Sequence, residues 1–378
     1  MKILYILSIY NVGDGVSNAL YSQIENKNNW DDYWVICKWK YLVQDHFHIV
    51  EFNKVISRKL CETPFDCIHY FKGTPSNILE LVINVFQRRN IKIPVLTTVC
   101  QNISFKSLLL SPYEIKVTDH FVFIDKTSYN SPIISFIPKE IKTQIYLSSP
   151  EVLKQKTENV LFKQNSNGVI IYGRGSTLSK CPKNMFEVFD SIDIPNKLFY
   201  IIGIPFTDNW VRKEARKREN VIVYPQLPYN EWFDICTDFD VCLYQIPKNS
   251  HASIDANLGL PMLMRKPVVY YGPEAPKERF EHGKNGFVAT NVEEISYYAT
   301  LLGKNEEMRR NIGECARKSS LSMFSYQKRI DSYNEIYLNI SKKVISVNIP
   351  FKYYITYVRY NFRRMIRSFF NYYTRPKL

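Results

Sequence analysis

Glycines and cations able to hold a phosphate are the most chemically suggestive residues of this chain. The run Asn11-Val12-Gly13-Asp14-Gly15-Val16-Ser17-Asn18 links an apolar stretch to a helical one. Glycines at such a turn let backbone N–H groups approach an anion at the positive end of a helix. A full dinucleotide fingerprint needs glycine at position 18, where this chain has Asn18. The turn alone therefore fits a ligand-free connection equally well. A second cluster is Tyr172-Gly173-Arg174-Gly175, followed by Lys180-Cys181-Pro182-Lys183-Asn184. Its cations are either ordinary surface charges around a strand end or partners for a developing anion. Between Gln245 and Met264 the only carboxylate is Asp255, with His251, Ser253 and Asn257 nearby. A carboxylate there is also what a helix dipole favours without any ligand. No Ser/His/Asp nucleophile pattern occurs, and His46 and His48 lack a second pair of ligands. No metal and no cofactor is expected.

These residues need a framework, and the apolar runs supply one. Lys2–Ile9 is near-continuously apolar, as strands of parallel sheets are. With the glycine turn and the helical Val16–Ile24 it opens a doubly wound α/β domain. Strands are expected at Tyr33–Cys37, Phe65–His69, Pro94–Val99, His120–Ile124 and Ile141–Tyr146, with a helix over Ser76–Arg89. A polar stretch from Ser148 to Asn167 reads as a linker. Beyond it the βα alternation resumes. Strands are expected at Val169–Tyr172, Leu198–Ile202, Val221–Tyr224, Val241–Tyr244 and Pro267–Tyr271, with helices between them and three more after Val292. The length suits two domains of roughly 150–200 residues. The expected partition is 1–150, 151–345 and a tail, 346–378.

The segment Lys266–Val288, KPVVYYGPEAPKERFEHGKNGFV, joins a β-branched run, a Gly-Pro turn, a charged helical turn and the tight turn Gly283-Lys284-Asn285-Gly286. It resembles the donor-binding region of GT-B glycosyltransferases, specifically the large, mostly retaining family of bacterial polysaccharide synthesis. That resemblance implies an α/β fold of two Rossmann-like domains facing a central cleft. It implies a nucleotide-sugar donor and a glycan or lipid-linked acceptor. It makes Arg174 and Lys183 the cations that stabilise the leaving diphosphate, with Lys180 competing for the lysine's role. The Gly13–Gly15 loop and the backbone at Gly272 would lie against the donor phosphates, and Glu278 matches the glutamate of the family's Pro-Glu pair. Ala252 and Leu260 stand where the family carries two glutamates, which leaves Asp255 as the available substitute. On the acceptor side, Cys100 replaces a familiar histidine, so Gln101, Asn102 and the strand-end His69 are the candidates. A non-catalytic scaffold and a nucleotide-sugar epimerase are the rival readings.

Net charge is +14, and the excess is local. Lys352, Arg359, Arg363, Arg364, Arg367, Arg375 and Lys377 follow Pro350 with no acidic residue among them. That points to an anionic surface rather than a uniformly polybasic protein. At about 100° per residue, Phe351, Ile355, Val358, Phe362, Ile366, Phe369 and Tyr373 fall within about 80° of one helix face. Such a stripe suits a membrane interface, or packing on the protein's own surface or on a dimer partner, and nothing else in the chain supports nucleic acid. The eight cysteines show no CxxC spacing and read as reduced, buried thiols. A cytoplasmic protein, peripheral on the inner face of a membrane, is the expected location.

Overall fold

The computed structural model describes residues 1–10, 15–24, 33–40, 49–73, 77–103, 110–147, 156–158, 160, 168–174, 181–204, 206–225, 227, 229–248, 250, 253, 256–323, 325–340 and 345–373. The chain forms two compact units, Met1–Ile145 with Asp331–Leu378, and Tyr146–Ile330. Each is built on a parallel sheet.

In the first unit the strands are β1 (Ile3–Tyr10), β2 (Tyr33–Lys40), β3 (Ile49–Glu51), β4 (Cys67–Lys72), β5 (Val95–Val99), β6 (His120–Phe123) and β7 (Lys142–Gln144). They lie in the order β3-β2-β1-β4-β5-β6-β7. Every residue of β4 and β5 is buried. Helices cover both faces of such a sheet, so its strands read as unbroken apolar runs rather than alternating ones. Three elements escape the apolar-run reading. Strand β3 is three residues long at the sheet edge. Helix Lys54–Glu62 starts where Asn53 accepts from the N–H groups of Val55 and Ile56. Helix Pro112–Val117 starts at a reciprocal capping box between Ser111 and Glu114, with proline in the first turn.

The first unit is completed from the far end of the chain. Helix Tyr326–Asn339 carries Tyr333 and Tyr337, and Tyr337 Oη lies 2.6 Å from His69 Nδ1. Thr98 Oγ1 lies 2.7 Å from His69 Nε2 and 3.0 Å from Tyr333 Oη. All four side chains are buried. Helix Phe351–Tyr373 is fastened to the same unit: Tyr353 Oη donates to the Leu110 carbonyl at 2.6 Å, and its ring meets Phe136 edge-on. Asp331–Leu378 thus groups with the first unit, whereas the sequence reading placed 331–345 with the second and treated the tail as separate. The reason is pairing of buried polar groups across a long chain separation, which local pattern does not carry.

In the second unit the strands are β8 (Ile170–Arg174), β9 (Leu198–Ile202), β10 (Val221–Tyr224), β11 (Val241–Gln245), β12 (Val268–Tyr271) and β13 (Phe287–Val288). Their order is β10-β9-β8-β11-β12-β13. Between β12 and β13 run the short helix Glu274–Lys277 and the turn at Gly283–Gly286. Gly283 sits at φ 78°, in the left-handed region that glycine adopts without penalty. Buried Asn285 fixes the turn, donating from Nδ2 to the Arg279 carbonyl at 3.1 Å and to Ser319 Oγ at 3.0 Å. None of the eight cysteines is in a disulfide, and burial pushes the Cys37 and Cys67 thiols up to about 12.

Candidate functional site

In open α/β sheets a ligand binds outside the carboxyl ends of the strands, where the strand order reverses. In the second unit that point lies between β8 and β11. The two strands pair in parallel with Leu243 opposite Gly173, so their carboxyl ends, Arg174 and Gln245, emerge at the same sheet edge. Gln245 is buried, and its Nε2 donates to Asn184 Oδ1 at 3.2 Å. Asn184 precedes helix Met185–Asp190 without capping it through its side chain. Its neighbour Lys183 is exposed. Arg174 and Lys183, far apart in the candidate motif, are therefore set at the same edge, one ending β8 and one just ahead of the following helix.

The neighbouring strand ends add backbone and one more cation. Gly272 follows β12 and is buried; a Cβ there would come within 2.6 Å of Ile246 Cγ1 and of Tyr270 Oη. Only glycine lets the chain pass that closely. Tyr270 Oη donates to the Pro273 carbonyl at 2.7 Å, which holds the Gly-Pro turn. Lys248 Nζ donates to the Thr290 carbonyl at 2.8 Å and stands 4.9 Å from the centre of the Tyr271 ring. Glu278 is half-buried and accepts from Tyr146 Oη at 3.1 Å. Leu260 is fully buried in the core of its unit, so that position offers packing and no carboxylate. Lys180 and Asp255 lie outside the described residues.

The reversal in the first unit lies between β1 and β4. Gly15 is the first residue of helix Gly15–Ile24, and Gly13 lies outside the described residues. At the end of β4, Lys72 is buried against Glu114, with Nζ 2.6 Å from Oε1. Glu114 Oε2 accepts in turn from the Ser111 N–H at 2.6 Å. His69 is fully buried with both ring nitrogens in hydrogen-bond contact with hydroxyls. That is the geometry of a structural histidine, with no ring nitrogen left to meet an acceptor sugar. Gln101 is half-buried and Asn102 is buried, both just past β5. The sequence reading missed the Gln245–Asn184 pair. Its only signal was a polar residue closing an otherwise apolar strand.

Comparison with solved structures agrees with this architecture. The Anabaena protein HepE in complex with UDP matches with TM-score 0.70 at 15% identity, over 90% of this chain and 100% of that one. A glycosyltransferase from Rickettsia africae matches with TM-score 0.67 at 14% identity, over 91% and 99%. WaaG, a glycosyltransferase involved in lipopolysaccharide biosynthesis, matches with TM-score 0.62 at 12% identity, over 88% and 99%. No protein-family model matches the sequence, and no curated protein does. At these identities the likeness carries the fold, and the fold is that of GT-B glycosyltransferases.

Proposed function

We propose that this chain is a glycosyltransferase that moves a sugar from a nucleotide-sugar to a glycan or lipid-linked acceptor at the cytoplasmic side of a membrane. The observation that carries the reading is the likeness of fold, over nine-tenths of the chain, to a protein solved with UDP and with UDP-glucose. Breaking the sugar–phosphate bond leaves a nucleoside diphosphate, and that developing charge must be met by fixed cations or dipoles. Arg174, ending β8, and Lys183, beside the following helix, are the cations for it. The close backbone at Gly272 supplies N–H groups to the phosphates. The leaving phosphate takes the acceptor's proton, so retention at the anomeric carbon needs no protein nucleophile and no metal. Asp255 and Glu278 are the carboxylates on the donor side, and Gln101 and Asn102 are the candidates for acceptor hydroxyls.

The test starts with a thermal-shift screen of nucleotide-sugars, UDP-glucose first, because a ligand that binds only the native state raises its stability. Hydrolysis or transfer of the binder is then measured on the wild type and on Arg174→Ala. Loss of turnover in the variant is expected, and turnover unchanged by the substitution would refute this assignment. A second reading, a non-catalytic partner in glycan assembly, has one observation in its favour: the packed Leu260 where the family carries a glutamate. A purified protein that binds a nucleotide-sugar but neither hydrolyses nor transfers it would establish that reading instead.

A further inference from the structure

Helix Phe351–Tyr373 has one face spent and one face open. Tyr353 is buried, and Tyr354, Tyr357 and Tyr360 are partly buried against the same core cluster, beside Ile345, Val347 and Ile349. This tyrosine side roofs the first unit. The other side carries the apolar stripe, and it is exposed: Phe351 at 78%, Val358 at 64% and Phe362 at 57%, with Ile355, Met365 and Ile366 beside them. Lys352, Arg359 and Arg363 border that stripe, all exposed. The helix holds no acidic residue.

We propose that this open face docks the protein in the plane of an anionic lipid bilayer. The apolar stripe would enter the acyl boundary while Lys352, Arg359 and Arg363 sit at the headgroup phosphates. At about 1.5 Å per residue the helix reaches about 35 Å, which is enough to lie along a surface. No helix among the described residues is long and apolar enough to cross a membrane. Charge decides against a second copy as the occupant. Two such faces brought together antiparallel would set their cationic borders side by side, and in either direction neither helix offers a carboxylate to pair them. An anionic bilayer satisfies both the stripe and its border. The inference deepens the membrane-side reading above and rests on it for the role of the bound state, though not for the binding itself.

The experiment uses the full chain with phosphatidylcholine vesicles, with and without phosphatidylglycerol, in a cosedimentation assay. Two double variants are compared with the wild type: Arg359→Glu with Arg363→Glu, and Val358→Asp with Phe362→Asp. All four positions are exposed, so the fold survives, and a thermal melt checks it. The wild type is expected to sediment with the phosphatidylglycerol vesicles and to be released by salt. Each Lys or Arg near an anionic surface adds several-fold to the partition, so reversing two of them is expected to lower it by at least about tenfold. Loss of binding in both variants supports the proposal. It is overturned by a wild type that binds no vesicles, or by variants that bind as well as the wild type. A wild-type dimer split by Val358→Asp with Phe362→Asp, with no vesicle binding, makes a second copy the occupant and also overturns it. Nucleotide-sugar hydrolysis in solution, run in parallel, separates a failure of the anchor from a failure of the catalytic reading.

Discussion

Where the first sheet reverses, between β1 and β4, the polar side chains hold one another. Lys72 is paired with Glu114, and His69 lies between Tyr337 and Thr98. Where the second sheet reverses, between β8 and β11, Lys183 stands exposed and, among the described residues, Gln245 makes one side-chain bond, to Asn184. The same type of fold therefore treats reactive-looking residues in two ways. A buried polar group needs a partner, and one left without it costs about 1–3 kcal/mol. In the first unit that requirement has consumed the histidine, the lysine and the glutamate. A cation at the solvent edge has no such requirement and remains free to meet a ligand.

Four substitutions probe that contrast. The largest effect is expected from Glu114→Ala, which leaves the Lys72 ammonium buried and alone and removes a capping box. A loss of about 3–5 kcal/mol in urea unfolding is expected. A loss below about 1 kcal/mol would mean that the pair is hydrated and the edge more open than its burial indicates. Next comes Lys183→Ala, for which kcat is expected to fall about 10²-fold, with melting temperature unchanged. A stability loss with unaltered kcat would make this edge as structural as the other one.

His69→Phe tests the contrast from the opposite side. It puts a slightly larger aromatic ring in the same buried place and removes both nitrogens, leaving the Thr98, Tyr333 and Tyr337 hydroxyls to find other partners. A loss of about 1–3 kcal/mol is expected, with turnover per folded molecule preserved. A selective rise in acceptor KM at full stability would return His69 to the acceptor site.

The smallest effect belongs to Asp190, beside which the Arg218 guanidinium holds the carboxyl below its usual range. Because the folded-state value is depressed, the pair's contribution is complete above the unfolded value of about pH 3.9. It is lost as pH falls through the lower, folded value. Asp190→Asn is therefore expected to cost about 0.2–1 kcal/mol at pH 7, a difference that shrinks towards zero in strong acid. Chemical denaturation at both pH values measures it. An equal difference at both would assign the loss to packing instead of charge.

Much of the framework could be read in advance because it is written locally. The strands over Leu198–Ile202 and Val221–Tyr224 fall where their apolar runs place them. Fully buried parallel strands leave continuous runs, and glycine turns punctuate them. The elements overlooked were short or polar. Strand β3 spans three residues, and helix Lys54–Glu62 has only Leu60 buried. Helix Pro112–Val117 did carry a readable start in Ser111-Pro112-Tyr113-Glu114. On the site, sequence supplied residue types and strand ends but not partners. His69 and Tyr337 are 268 residues apart, a separation at which nothing in either neighbourhood announces the other. The C-terminal helix shows the same limit. Its stripe was plain, yet which side faces the protein depends on the tyrosines finding Phe136 and the Leu110 carbonyl.

That late-arriving segment has a consequence for how the molecule is made. Since Asp331–Leu378 belongs to the unit that begins at Met1, the whole of Tyr146–Ile330 is an insertion within it. On the ribosome, domains that are contiguous in sequence fold as they emerge. Here the second unit is complete while the first still awaits the hydroxyls of Tyr333 and Tyr337. The domain begun first is finished last, and a chain cut at residue 330 would keep an intact second unit beside a first one with an unsealed core.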